Sequence, residues 1–338
     1  MTTPLIIRLE HVQTVFTKDY IPVVYVVGII SNILNIILFC RRKLRCNCCS
    51  WYFICLSLSQ ILLLNVNCVH HVISSWLNYD GFSTITSLCK IHSYFNVLSI
   101  ILVRHFICLI SIDRWLVTSA NARLRNKSSL INIPWIVGGS FTFWTIFSIH
   151  APINYMPSST ACSPIRALNY AIFLTIYNVI TSSTPFFIVF IFSILTVFNI
   201  RKSIRQVNSI THVPSSQINT IVLVNSIKSR EKQTLINKRL DMVFVRLTVF
   251  QIIPYLLFNL ISSFSAIILY LNSITSNHTE EENAIVSFIH ELGTYLLCTY
   301  VSITFIFYTL ASNVFRKEFI LLCKQCWFTI QRCLCCQH

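Results

Sequence analysis

Residues 109–119 read LISIDRWLVTS, an apolar run that meets an adjacent acid and base, Asp113 and Arg114, with Trp115 next. A carboxylate beside a guanidinium makes a charge-assisted hydrogen bond that holds the arginine in one orientation. If a neighbouring element moves, the arginine passes to another partner, so such a pair is a two-state latch. The plainer reading is a charged anchor at the end of an apolar helix. Ten residues earlier, Arg104 stands in apolar sequence, about 15 Å away at helical rise. A charge at that depth must find acceptors inside the protein. Gln60, Asn178, Gln251 and the carbonyls freed near Pro254 are candidates, and no acidic residue falls at the same depth. Arg104 reads equally as a ligand or switch residue and as an internal polar plug. Arg246 reads as a snorkelling side chain.

No catalytic constellation accompanies these charges. The chain has no glycine-rich phosphate loop, paired carboxylates or His-Glu zinc motif. An enzyme is not expected, and no cofactor or metal is implied. The 15 cysteines lie mostly in apolar blocks or at basic ends, which suits reduced thiols or lipid sites more than a disulfide scaffold. The clusters CNCC at 46–49 and CLCC at 333–336 are spaced irregularly for zinc. Their basic, membrane-proximal setting favours S-palmitoylation, with Cys323, Cys326, Cys333, Cys335 and Cys336 as the tail candidates.

The elements that must position these residues are membrane helices. Of 338 residues, 54% are hydrophobic and 11% charged, where a soluble domain carries about 25% charged residues. Seven apolar blocks, at about 21–40, 51–74, 87–113, 132–152, 168–200, 240–271 and 284–310, each reach the roughly 20 residues that cross a bilayer. The third is more polar than the first, as expected of a helix surrounded by the others. The fold expected is an all-α, seven-transmembrane bundle over 21–310.

A net charge of +15 would suggest nucleic acid in a soluble protein. Here the basic residues cluster in alternate loops, so no nucleic-acid partner is expected and membrane lipid is the surrounding phase. Segments 41–45, 114–127, 201–239 and the tail hold 20 of the 26 basic residues. That side should be cytoplasmic, which places residues 1–20 outside and residues 311–338 inside. The sequon at Asn277 then falls outside, where glycosylation is expected, and that at Asn126 falls inside. No cleavable signal peptide is read at the N-terminus, so the first span should serve as its own insertion signal. The polar stretch 201–239 reads as a mobile cytoplasmic loop with helical extensions of blocks five and six at its ends. Basic and apolar residues alternate at helical spacing from Ser312 to Phe328, which predicts an amphipathic cytoplasmic helix.

Seven spans, an outside N-terminus and the Asp113-Arg114-Trp115 triplet resemble the class A (rhodopsin-like) G protein-coupled receptors, over about 290 residues. The family carries a cysteine 25 residues before the triplet's arginine, and Cys89 holds that place. Its usual partner lies between spans four and five, where Cys162 is the only cysteine. The resemblance thus implies a Cys89–Cys162 disulfide. Asn32 matches the span-one asparagine, and Trp144 or Trp135 the span-four tryptophan. Pro185 and Pro254 stand at the kink positions of spans five and six, and Tyr308 at the end of span seven. The resemblance implies a plasma-membrane receptor that senses an extracellular ligand, a peptide among the candidates. It would activate a heterotrimeric G protein when spans three and six separate and release Arg114.

Departures from the family pattern are concentrated in its switches. Gln60 replaces the sodium-binding aspartate of span two, so no sodium site is expected. Thr304-Phe305 replaces Asn-Pro in span seven, Ile252 the span-six tryptophan and Ser193 the span-five tyrosine. The second lock acid falls on Thr234, with Asp241 or Glu231 as substitutes. Asn96 stands where amine receptors carry aspartate, and Cys298 where opsins carry their lysine. The expected pocket is His92, Asn96, Arg104, Tyr177, Glu291 and Thr294. Glu280-Glu281-Glu282 is either a solvated run or an attraction for a basic peptide. A transporter or channel, and a chemosensory or constitutively active receptor, are the competing readings.

Overall fold

The computed structural model describes residues 3–77, 81–157, 162–165, 167–210, 221–274 and 279–335. Seven helices are long and apolar enough to cross a membrane. They are α1 (Pro4–Phe39), α2 (Cys48–Leu77), α3 (Thr86–Thr118), α4 (Ile133–Phe147, within the spanning run Leu130–Asn154), α5 (Leu168–Ile210), α6 (Ile221–Ile274) and α7 (Glu280–Ser302). Two more follow, α8 (Thr304–Ala311) and α9 (Asn313–Cys335). Between α4 and α5 lies a hairpin of β1 (Tyr155–Pro157) and β2 (Cys162–Pro164), paired antiparallel. The chain is a helical bundle of multi-pass membrane type.

Centrality differs sharply among the spans. The most apolar window is 61% buried in both α2 and α3, and 6% buried in the Leu130–Asn154 run that contains α4. The polar content of α3 is therefore tolerated because neighbours cover it. Gly28 lets α1 approach α7 and α2. A Cβ there would collide with Ser302 Oγ and Leu64 Cδ1.

Three boundaries differ from the sequence expectation. The first helix begins at Pro4, not near residue 21, and runs for 36 residues. At helical rise it is about 54 Å long, well beyond the roughly 30 Å hydrocarbon core. Proline in the first turn costs no hydrogen bond and presets φ. A π-helical turn at Phe16–Tyr20 carries the helix onward. Contacts to α7 fix it there, with Thr17 Oγ1 2.8 Å from the Tyr295 hydroxyl and the Tyr20 hydroxyl 2.7 Å from Thr299 Oγ1.

Helix α3 continues to Thr118, so the Asp113-Arg114-Trp115 triplet lies a turn inside the helix instead of closing it. The seventh block is not one helix either. It starts with a capping box between Thr279 and Glu282 and breaks at Ile303, without glycine or proline. Neighbouring side chains take up the backbone groups that the break frees, as membrane helices require. The Phe305 N–H donates to Ser31 Oγ (3.1 Å), and Asn32 Nδ2 donates to the Val301 carbonyl (3.0 Å). Asn35 Nδ2 donates to Thr304 Oγ1 at 3.2 Å, and Thr304 Oγ1 lies 3.4 Å from Gln60 Oε1.

Candidate functional site

Two polar centres sit on α3, one turned to each end of the bundle. At the Asp113 end, an apolar scaffold comes first. Phe39, Phe53, Phe244, Tyr308 and Phe315 are all buried at 1% exposure or less. Phe39 and Phe53 stack 4.8 Å apart, and Tyr308 meets both edge-on. Against this cluster lies Arg114, itself 1% exposed, with its guanidinium carbon 5.2 Å from the Phe244 ring centre.

The charge of Arg114 is compensated locally. Its Nε donates to Asp113 Oδ2 at 3.2 Å, and its Nη2 donates to the same oxygen. Nη2 also donates to Asn47 Oδ1 at 3.0 Å. Asn47 is the residue before α2, and the same oxygen accepts the Cys49 N–H at 3.0 Å, in the manner of a helix cap. The other Asp113 oxygen accepts from Ser128 Oγ at 2.6 Å. Loops on both sides of α3 thus grip one ion pair. Trp115 points away from it and meets Phe192 of α5 edge-on, 5.1 Å between centres. Tyr308 donates to Gln251 Oε1 at 2.8 Å, and Gln251 Nε2 donates to the Tyr300 hydroxyl at 3.2 Å. That chain couples α6 to α7 and α8.

At the opposite end, Cys89 at the start of α3 is joined to Cys162 of β2 by a disulfide, Cα atoms 5.4 Å apart. The bridge draws the hairpin over the bundle, and Tyr155 of β1 lines the cavity beneath it. This cavity, of about 120 Å³, is also lined by Asn96, Arg104, Tyr177 and Thr294. Four of the six expected pocket residues therefore converge. His92 and Glu291 do not line it. His92 Nε2 lies 3.2 Å from the Val66 carbonyl, with its ring 4.7 Å from that of His70. Glu291 faces His71, Oε2 to Nε2 3.5 Å, in a pair that ties α7 to α2.

Arg104, 6% exposed, does not use the partners expected from the sequence. Its Nε donates to Asn259 Oδ1 (3.0 Å), Nη2 to Ser263 Oγ (3.1 Å) and Nη1 to Thr181 Oγ1 (3.4 Å). Gln251 is committed to Tyr300 and Tyr308, one turn below Pro254, and Gln60 lies by Thr304 near α1. Asn259 and Ser263 stand four residues apart and so share a face of α6. That spacing is the signal by which the sequence could have revealed them. Asn67 and His290 also line the cavity, and neither was singled out.

The remaining candidates scatter. Pro185 and Pro254 are accommodated inside α5 and α6. Trp144 packs edge-on against His105, 5.8 Å between centres, whereas Trp135 is 82% exposed. Arg246 is exposed. Cys48 and Cys49 are buried, which removes them from the acylation candidates of the CNCC cluster, while Cys46 and Cys323 are exposed. On α9, Glu318 accepts from Arg41 Nε at 3.0 Å and Lys43 Nζ at 3.2 Å, tying that helix to the loop after α1. No group of three or more His, Cys, Asp or Glu able to hold a metal ion occurs among the described residues. Asn277 and Cys336 lie outside the described residues, as do the side chains of Glu231, Thr234, Asp241, Cys326, Cys333 and Cys335.

No family model matches the chain, and no curated protein matches it at a significant level. Its activity must be argued from its own residues.

Proposed function

We propose that the chain is a plasma-membrane receptor of the class A, rhodopsin-like kind, which couples an extracellular ligand to a heterotrimeric G protein. Its N-terminus would lie outside the cell and α9 along the cytoplasmic face. The observation that carries this reading is the buried Asp113–Arg114 pair held by Asn47 and Ser128, with a polar cavity at the far end of the same helix. An arginine gripped by loop residues is freed when the surrounding helices shift. An occupied cavity that favours the shifted arrangement moves that equilibrium. Phe244 of α6 packs on Arg114, so outward movement of α6 uncovers the guanidinium for a partner protein.

Basal nucleotide exchange in cells carrying promiscuous G proteins tests the reading. Asp113→Asn weakens the latch and should raise exchange above wild type. Adding Arg114→Ala on that background should return it to the level of cells without receptor, at equal surface expression. Equal signalling with and without Arg114 would reject the mechanism.

A further inference from the structure

The ligand class can be read from charge balance around Arg104, given the receptor reading above. The described acidic side chains within reach of an arginine, lysine or histidine are committed elsewhere. Asp113 holds Arg114, Glu291 faces His71, and Glu318 takes Arg41 and Lys43. No described carboxylate is ion-paired with Arg104, whose three hydrogen bonds all end on neutral oxygens of Asn259, Thr181 and Ser263. A guanidinium carries five N–H donors, and these bonds use three. A full positive charge at 6% exposure is therefore solvated by dipoles alone.

Arg104 is also the only Lys, Arg, Asp or Glu among the described residues that line the 120 Å³ cavity. Leu63, Ile100, Ile101, Leu174, Ala266 and Leu297 supply apolar patches of its wall, between the polar side chains of Asn67, Asn96, Asn178, Ser262 and Thr294. In such surroundings an anion gains far more from a guanidinium than it would in water. Arginine's planar fork matches a carboxylate with two parallel bonds. A cation would meet repulsion there, and a neutral ligand would leave the charge uncompensated.

We infer that the cavity binds a compact carboxylate-bearing ligand, its acid group against Arg104. The acid is either that of a small organic molecule or the C-terminus of a short apolar peptide. Both present the same head group to the same fork. Neutral partners are then a functional requirement, because an internal carboxylate at Arg104 would already fill the ligand's place.

The test uses the purified full chain in lipid nanodiscs without G protein. Thermal unfolding and calorimetric titration are run with benzoate, phenylacetate, hexanoate and decanoate, each beside its primary amide. Trileucine with a free or an amidated C-terminus is added to separate the two sources. At least one free acid should raise the unfolding temperature in a dose-dependent way while its amide does not. Arg104→Gln should weaken that acid by about 10- to 100-fold, as expected for loss of a charge-assisted contact, and Arg104→Lys by less. A response confined to free trileucine assigns the carboxylate to a peptide end. Without ligand, Arg104→Gln should unfold at the wild-type temperature or above it. The proposal is overturned if acids and amides act alike, if none of the probes binds, or if Arg104→Gln lowers stability and keeps the acid response. Acid binding without nucleotide exchange would sink the receptor reading alone, and exchange without acid binding would sink this inference alone.

Discussion

Arg104 and Arg114 share one helix, lie ten residues apart and are both buried, yet the protein treats them in opposite ways. Arg114 has its own acid as a neighbour, and two loops lock the pair from either side. Arg104 has neutral side chains from α5 and α6 and opens on a cavity. The difference separates two uses of buried charge. A compensated charge is stable in place and becomes informative when its partners are pulled away. A charge without a counter-ion remains an incomplete site, and a ligand that completes it is bound by the missing interaction. The cost of burying either is similar, so the partner, not the arginine, decides the role.

Substitutions can break this comparison or sharpen it. The largest effect is expected at the compensated site. Asp113→Asn leaves a buried guanidinium without its counter-ion and should lower unfolding stability in detergent by about 3–5 kcal/mol. Arg104→Gln should cost nothing, and equal losses at the two positions would erase the distinction. Next is Cys162→Ser, which opens the Cys89 bridge at the cavity end. It should cost about 2–4 kcal/mol, read by chemical denaturation, and leave basal nucleotide exchange near wild type. Recovery of Cys89 as a free thiol in non-reducing peptide mapping would remove the bridge altogether.

Smaller effects probe the frame between the sites. Gly28→Val forces a side chain against Ser302 and Leu64 and should cost about 1–3 kcal/mol, with equal damage to both ends if the frame is shared. Ser128→Ala removes one grip on Asp113. A loss of about 1 kcal/mol is expected, with a modest rise in basal exchange that Arg104→Gln does not reproduce.

Much of the fold was legible in the chain because burial in a membrane leaves a coarse signature. Long apolar blocks and basic loops marked the helices, and all seven are present. Boundaries were less legible. The helix before residue 21 carries Arg8, Glu10, Lys18 and Asp19, so its apolar signal is diluted, and contacts with α7 hold it. The break at Ile303 has no helix breaker in its sequence. It is accommodated because Ser31 and Asn32 of α1 satisfy backbone groups it exposes, and Asn35 bonds the Thr304 hydroxyl beside it. At the sites, adjacent residues were read more easily than distant ones. Asp113 and Arg114 declare themselves by adjacency, whereas Asn47 lies 67 residues from Arg114 and no local pattern points to it.

The sequence by itself determined that seven apolar helices form, that charge stays out of their apolar stretches except at a few positions, and that two arginines stand on one span. Those properties follow from side-chain solvation and helical rise, which are local. Only the tertiary structure decided that Asn47 and Ser128 hold the Asp113–Arg114 pair, that His92 and Glu291 turn away from the cavity, and that Thr181, Asn259 and Ser263 surround Arg104. Those outcomes depend on how helices rotate against one another. A small rotation exchanges a cavity-facing residue for a packed one without changing the hydrophobic pattern that made the helix.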